Sequence, residues 1–187
     1  ENVTKGVLKG KFEPLGSSLI VPKELERAIA SVLGDLLDGI VVDTGTDLDP
    51  VLDMLEKGEN GRAALLLAQP SINRETFALP LDPDVIGKAS DLVRPSGGDT
   101  GLVEQVLGKI GVVRDRKTAR RLIESLPAGT GLVTLKGEVF WRSGLILAGQ
   151  DGRTVLVSRP RQKRELVQNI ANLGEKKSRL EKNLEKI

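Results

Sequence analysis

Residues 22–68, PKELERAIASVLGDLLDGIVVDTGTDLDPVLDMLEKGENGRAALLLA, set the fold class. Pro22 suits a first helical position. Behind it Leu25, Ala28, Ile29, Val32, Leu33 and Leu36 recur at three- and four-residue spacing, so one face of a helix must be buried, with Gly34 a candidate stop inside the run. Ile40, Val41 and Val42 follow as a short β-branched strand. Asp47 or Asp49 can cap a second helix through Val51, Leu52, Met54 and Leu55 that stops at Gly58. GRAALLLA (61–68) is then an apolar run of strand length. Helix, strand, helix, strand in this order predicts parallel strands joined by crossover helices, an α/β (mixed α+β) class.

Upstream, GVLKGKFEPLGSSLIVP reads as short extended pieces around a loop, because Pro14 and Gly16 interrupt its β-favouring runs. Downstream the same helix–strand order recurs. Leu102, Val103, Val106, Leu107 and Ile110 make one face of a helix over 99–110, and Val112 and Val113 make a strand. A helix from about Asp115 to Leu126 buries Ala119, Leu122 and Ile123, and LVTL (132–135) is a strand that turns at Lys136-Gly137 into a hairpin with Val139–Trp141. Between the halves lies QPSINRETFALPLDPDVIGKASDLVRPSGG (69–98), rich in Pro and Gly, which places a lobe boundary there. The reading is lobe I over about 1–80, a linker over about 81–98 and lobe II over about 99–158.

From 159 the character changes. Pro160 stands where a helix would begin. Leu166, Ile170, Leu173, Lys177, Leu180, Leu184 and Ile187 then alternate spacings of four and three, the seam of a coiled-coil arm over 159–187. So narrow a stripe demands a partner helix, which this chain does not supply. Either an N-terminal strand of the coil lies outside the sequence, or the helix pairs between molecules. Residues 159–187 also hold nine Lys or Arg against four Glu, so the arm is +5 within a chain of net +2 and the remainder is −3. A mildly acidic body with a basic extension points to a polyanionic partner, the alternative being a solvated helix surface.

Composition narrows the chemistry. With no His and no Cys there is no imidazole or thiolate metal ligand, no disulfide, no histidine base and no Ser-His-Asp arrangement. Aromatic residues make up 2%, too few for a stacking platform on single-stranded bases. No phosphate loop, dinucleotide fingerprint or nucleophile elbow occurs. Asp47 with Asp49, and Asp82 with Asp84, are the closest carboxylate pairs, and each reads as a helix cap before a metal site. Residues 95–101 open a helix with a Gly-rich loop that also reads as an ordinary cap. No cofactor and no metal are expected. The absence of any membrane-length apolar run or secretory leader marks the chain as cytosolic, without a membrane partner.

Specific strings carry a family resemblance. Residues 6–42, with the Val21-Pro22 step, the Glu26–Ala30 helix, Leu33-Gly34 and the Val41-Val42 strand, join GRAALLL (61–67), KASDLV (88–93) and GLVTLKGEVFWRSGLILAG (131–149) in one order. Together they resemble the hinge domain of structural maintenance of chromosomes (SMC) proteins of prokaryotic type. The resemblance implies a two-lobed dimerisation module without catalysis of its own, set in a longer chromosome-organising ATPase whose heads lie elsewhere. It implies a homodimer in which each lobe meets the opposite lobe of the partner, and a nucleoid-associated location in the cytoplasm. It places the paired-glycine contact at Ser143, Gly144, Ala148 and Gly149, where Ser and Ala replace one glycine of each pair. An ordinary hairpin bend is the other reading of Gly144 and Gly149. It also places weak, sequence-independent DNA contacts at Arg153, Arg159, Arg161, Lys163 and Arg164, at the root of the arm. Two rivals are an α/β carboxylate-metal or phosphate-handling enzyme domain with a coiled-coil tail, and an adaptor that oligomerises through the 166–187 seam alone.

Overall fold

The computed structural model describes residues 13–43, 45–57, 63–68, 77–97, 100–149 and 154–184. Strands β1 (Glu13–Pro14) and β2 (Leu19–Ile20) flank a 3-10 turn, and a second 3-10 turn at Lys23–Leu25 leads into helix α1 (Glu26–Leu33). Pro22 is extended and stands outside that turn, so the α-helix begins later than the proline predicts. Gly34 does end it, and the predicted continuation to Leu36 is a 3-10 segment, Gly34–Asp38. β3 (Ile40–Asp43), α2 (Asp49–Glu56) and β4 (Leu65–Ala68) follow. Asp47 accepts the Asp49 N–H at 3.1 Å, which shapes the turn before α2, while the capping position itself falls on Leu48 and makes no side-chain bond. Gly58, the expected stop of α2, lies outside the described residues.

The breaker-rich stretch is not a linker. It holds β5 (Val85–Lys88), α3 (Ala89–Leu92) and β6 (Arg94–Pro95). Each piece is only two to four residues long, too short for a periodic signal. Then come α4 (Thr100–Leu107), β7 (Ile110–Val113), α5 (Arg116–Leu122), β8 (Gly131–Thr134), β9 (Val139–Trp141), β10 (Ile146–Leu147) and α6 (Thr154–Leu184). Asp115 caps α5 by accepting the Thr118 N–H at 2.9 Å.

The strands form a three-stranded sheet ordered β1-β3-β4, a five-stranded sheet ordered β10-β9-β8-β7-β5, and a two-stranded piece β2-β6. Both predicted crossovers are present: β3 and β4 pair in parallel across α2, and β7 and β8 in parallel across α5. The Lys136-Gly137 turn closes the antiparallel β8–β9 hairpin. β6 returns to pair with β2, joining the segment read as a linker to the start of the chain.

One apolar core crosses the expected lobe boundary. Leu15, Leu19, Ile29 and Leu37 from the first half are buried with Leu107, Ile110, Val112 and Val133 from the second, and Val157 of α6 joins them. A smaller cluster of Phe77, Val113, Ala119, Leu122, Leu132 and Phe140 lies on the other side of the five-stranded sheet. The two halves therefore share their main core, where the sequence alone allowed each a core of its own.

Candidate functional site

The β9–β10 hairpin carries the four residues expected at a dimer contact. Trp141 N–H donates to the Leu145 carbonyl at 2.8 Å and Gly144 N–H to the Trp141 carbonyl at 2.9 Å, closing a three-residue loop of Arg142, Ser143 and Gly144. Such loops need their last residue in the left-handed region, and Gly144 has φ +91°. A Cβ on Gly144 would meet nothing within 4 Å, and the same holds for Gly149 at φ +137°. Within one chain, backbone conformation alone accounts for both glycines, and for Gly144 that conformation is the hairpin bend.

The outer edge of this hairpin is open among the described residues. Ile146 lies opposite Phe140 in a pair that exchanges no hydrogen bonds, so the Ile146 N–H and C=O point away from β9, and by alternation so do those of Ala148. Leu145, Ile146 and Leu147 are 53%, 56% and 45% exposed. Three consecutive exposed aliphatic residues on a strand edge form a surface that natural proteins cover or pair. In the three-stranded sheet, β4 likewise has no strand beyond it among the described residues. Its register with β3 turns the backbone groups of Leu65 and Leu67 outward.

The arm root is built differently from its prediction. α6 begins by Thr154, so Pro160 sits inside the helix and not at its start. Proline has no N–H to offer the Leu156 carbonyl one turn earlier. That carbonyl lies against Gly16, where a Cβ would stand 3.4 Å from it and 3.3 Å from the Leu37 carbonyl. Val157 is buried in the main core and Leu156 packs beside it.

Arg161 differs most from expectation. Its Nε donates to Glu26 of α1 at 2.6 Å and its Nη1 to Glu165 at 2.7 Å, with the Arg161 and Glu26 side chains 23% and 9% exposed. Glu26 first, and then Glu165, hold the guanidinium well above its ordinary pKa. A guanidinium so engaged is a tie between arm and body and does not belong with the phosphate contacts. Arg159, Lys163 and Arg164 do line one groove, with Pro14, Ser17 and Ser96 of the body and Val167 and Ala171 further along α6. Arg153 lies outside the described residues.

Of the seam, Leu166, Ile170 and Leu173 are each more than three-fifths exposed, and Lys177 is exposed as well. Leu180 and Leu184 continue the same helix, while Ile187 lies outside the described residues. The sequence reading missed Val167, also exposed. Its signal was a second stripe beside the seam at 160, 164, 167 and 171. Asp82 and Asp84 do not form a metal pair: Asp82 accepts the Asp84 N–H and the Arg121 guanidinium, and the turn leads into strand β5, not a helix. No group of three or more candidate acidic metal ligands occurs among the described residues, and no described helix is long and apolar enough to cross a membrane.

A family model of the SMC proteins flexible hinge domain matches residues 8–123. The chain belongs to the SMC hinge family. The SMC hinge relatives include the chromosome partition protein Smc of Myxococcus xanthus, 30% identical over 175 residues that cover 90% of this chain and 14% of the relative. Smc of Bacillus subtilis is 25% identical over 95% of this chain and 16% of its own length. The chain thus spans about a seventh of the proteins it matches. Among solved structures, an asymmetric dimer of the Geobacillus stearothermophilus SMC hinge domain superposes with a TM-score of 0.77 at 27% identity, covering 94% of this chain and 71% of that one. The Pyrococcus furiosus Smc hinge domain with an extended coiled coil shares the fold, with a TM-score of 0.56 at 22% identity, covering 92% of this chain and 61% of that one. A mixed helix-and-sheet hinge continuing into a coiled-coil helix is what the resemblance implied.

Proposed function

We propose that this hinge is the self-pairing joint of a chromosome-partitioning SMC ATPase, clasping a second copy so that two coiled-coil arms leave from one closed end of a ring. The observation that carries it is the open edge of β10, with Leu145–Leu147 exposed and the backbone groups of Ile146 unpaired by β9. β10 of one copy would lie along β4 of the other, so that each half of one chain meets the opposite half of its partner. Ladder hydrogen bonds and aliphatic burial would supply the affinity together. ATP turnover would belong to head domains outside this sequence, and the exposed seam would take an antiparallel arm helix.

Sedimentation across a concentration series tests the clasp. The unaltered chain is expected to be a dimer, and Ile146→Lys, which puts a charge on a more than half-exposed position of the edge strand, is expected to be a monomer of unchanged circular dichroism. A folded unaltered chain that stays monomeric at high concentration removes the proposal.

Duplex DNA would touch the root groove through Arg159, Lys163 and Arg164. With no recognition helix and no aromatic platform, contacts would reach phosphates only. Reversing these three charges should weaken unrelated duplexes equally and flatten the dependence of log K on log salt by about three units. Affinity unchanged at low salt would discard the groove.

A further inference from the structure

Gln105 of α4 reaches across to the other sheet and donates from Nε2 to the Leu67 carbonyl at 2.9 Å. The pairing of β3 with β4 makes this contact informative. Ile40 N–H takes the Ala64 carbonyl, and the parallel register then directs the backbone of residues 64, 66 and 68 toward β3 and that of Leu65 and Leu67 outward. Gln105 is therefore not bracing a group inside the sheet. It occupies an acceptor on the outer edge of β4, the edge that an added strand would use.

From this we infer that Gln105 is a gate on the β4 edge: it holds the Leu67 carbonyl in the unpaired chain and yields it when the partner's β10 comes into register. The inference rests on the proposed pairing of β10 with β4 and adds a residue that sets its selectivity. An open, partly apolar edge is a template for any extended segment. A single side-chain amide competes well against a stray strand that can make only one or two bonds. It loses to a matched strand that supplies several ladder bonds and buries Leu67 together with Leu145–Leu147. The edge is thus closed to casual pairing and open to the second copy.

The cost of the gate should be visible in the dimer constant. Gln105→Leu keeps the bulk and removes the donor, so the Leu67 carbonyl waits unclaimed. The dimer of Gln105→Leu is expected to tighten about thirty-fold, since the dimer no longer breaks two hydrogen bonds of ordinary strength, one in each copy, and its association rate should rise. A residue that merely supported β4 would give the opposite, a looser dimer with slower association. Gln105→Glu, whose carboxylate repels the carbonyl, is expected to act in the same direction as Gln105→Leu and serves if the leucine variant misfolds. A dimer constant unchanged or weakened overturns the inference, as does misfolding of both variants. The outcomes are separable from those of the underlying pairing. If the unaltered chain is monomeric, pairing and gate both fall. If it dimerises and Ile146→Lys disrupts it while neither Gln105 variant tightens it, only the gate falls.

Discussion

Arg161 and Asp115 show how single side chains decide more than their sequence context announces. In the arm's heptads Arg161 is one cation among many, yet it closes an ion pair across 135 residues with Glu26. Both side chains are largely withdrawn from water, so losing one partner strands the other charge. Arg161→Ala is expected to lower Tm by on the order of 5 °C. The pair Arg161→Met with Glu26→Leu should recover most of the loss, measured by thermal melting. The sequence placed Asp115 at the start of a helix, and the structure makes it the cap, the usual role of an Asp before a helical run. The Thr118 N–H chiefly holds its carboxyl below the usual pKa of 3.8, and the Arg121 guanidinium does the same for Asp82. Each carboxylate then favours the folded state above pH 3.8, and that contribution fades as pH falls through the lowered folded values. Asp115→Ala should therefore melt on the order of 3 °C below the unaltered chain at neutral pH, with the gap closing as pH falls below the ordinary carboxylate range.

At the scale of elements, the β9–β10 hairpin and α6 are each half explained by their own residues. The hairpin needs a left-handed residue at Gly144, so Gly144→Ala should cost about 1 kcal/mol in denaturant unfolding whether or not a second copy is bound. A loss appearing only in the dimer would show that the glycine serves the contact and not the bend. α6 changes character along its length. Its first turns are tied to the body by Val157 and Arg161, whereas the described residues from Gln162 to Arg179 are exposed. A helix without a partner frays, since its stability comes from packing more than from propensity. Amide exchange should be slow through Arg161 and should accelerate beyond Glu165. Uniform protection along α6 would mean that the seam is already paired.

For the whole molecule, the shared core predicts one unfolding transition. Trp141, the one tryptophan, lies in β9 of the second half, while α1 lies in the first. Tryptophan fluorescence and amide exchange of α1 should therefore report the same denaturant midpoint. Separate midpoints would restore two independent lobes. The sequence by itself determined the two crossovers, the β8–β9 hairpin, the long C-terminal helix and the family. These rest on periodicity, capping and turn chemistry, which act between residues a few positions apart. Tertiary structure alone decided that residues 85–95 are woven into two sheets, that one core serves both halves, and that Arg161 faces Glu26 while Gln105 faces Leu67. Those contacts join residues 38 to 135 positions apart, and no local pattern encodes which distant backbone group or charge a side chain will meet once the core has closed.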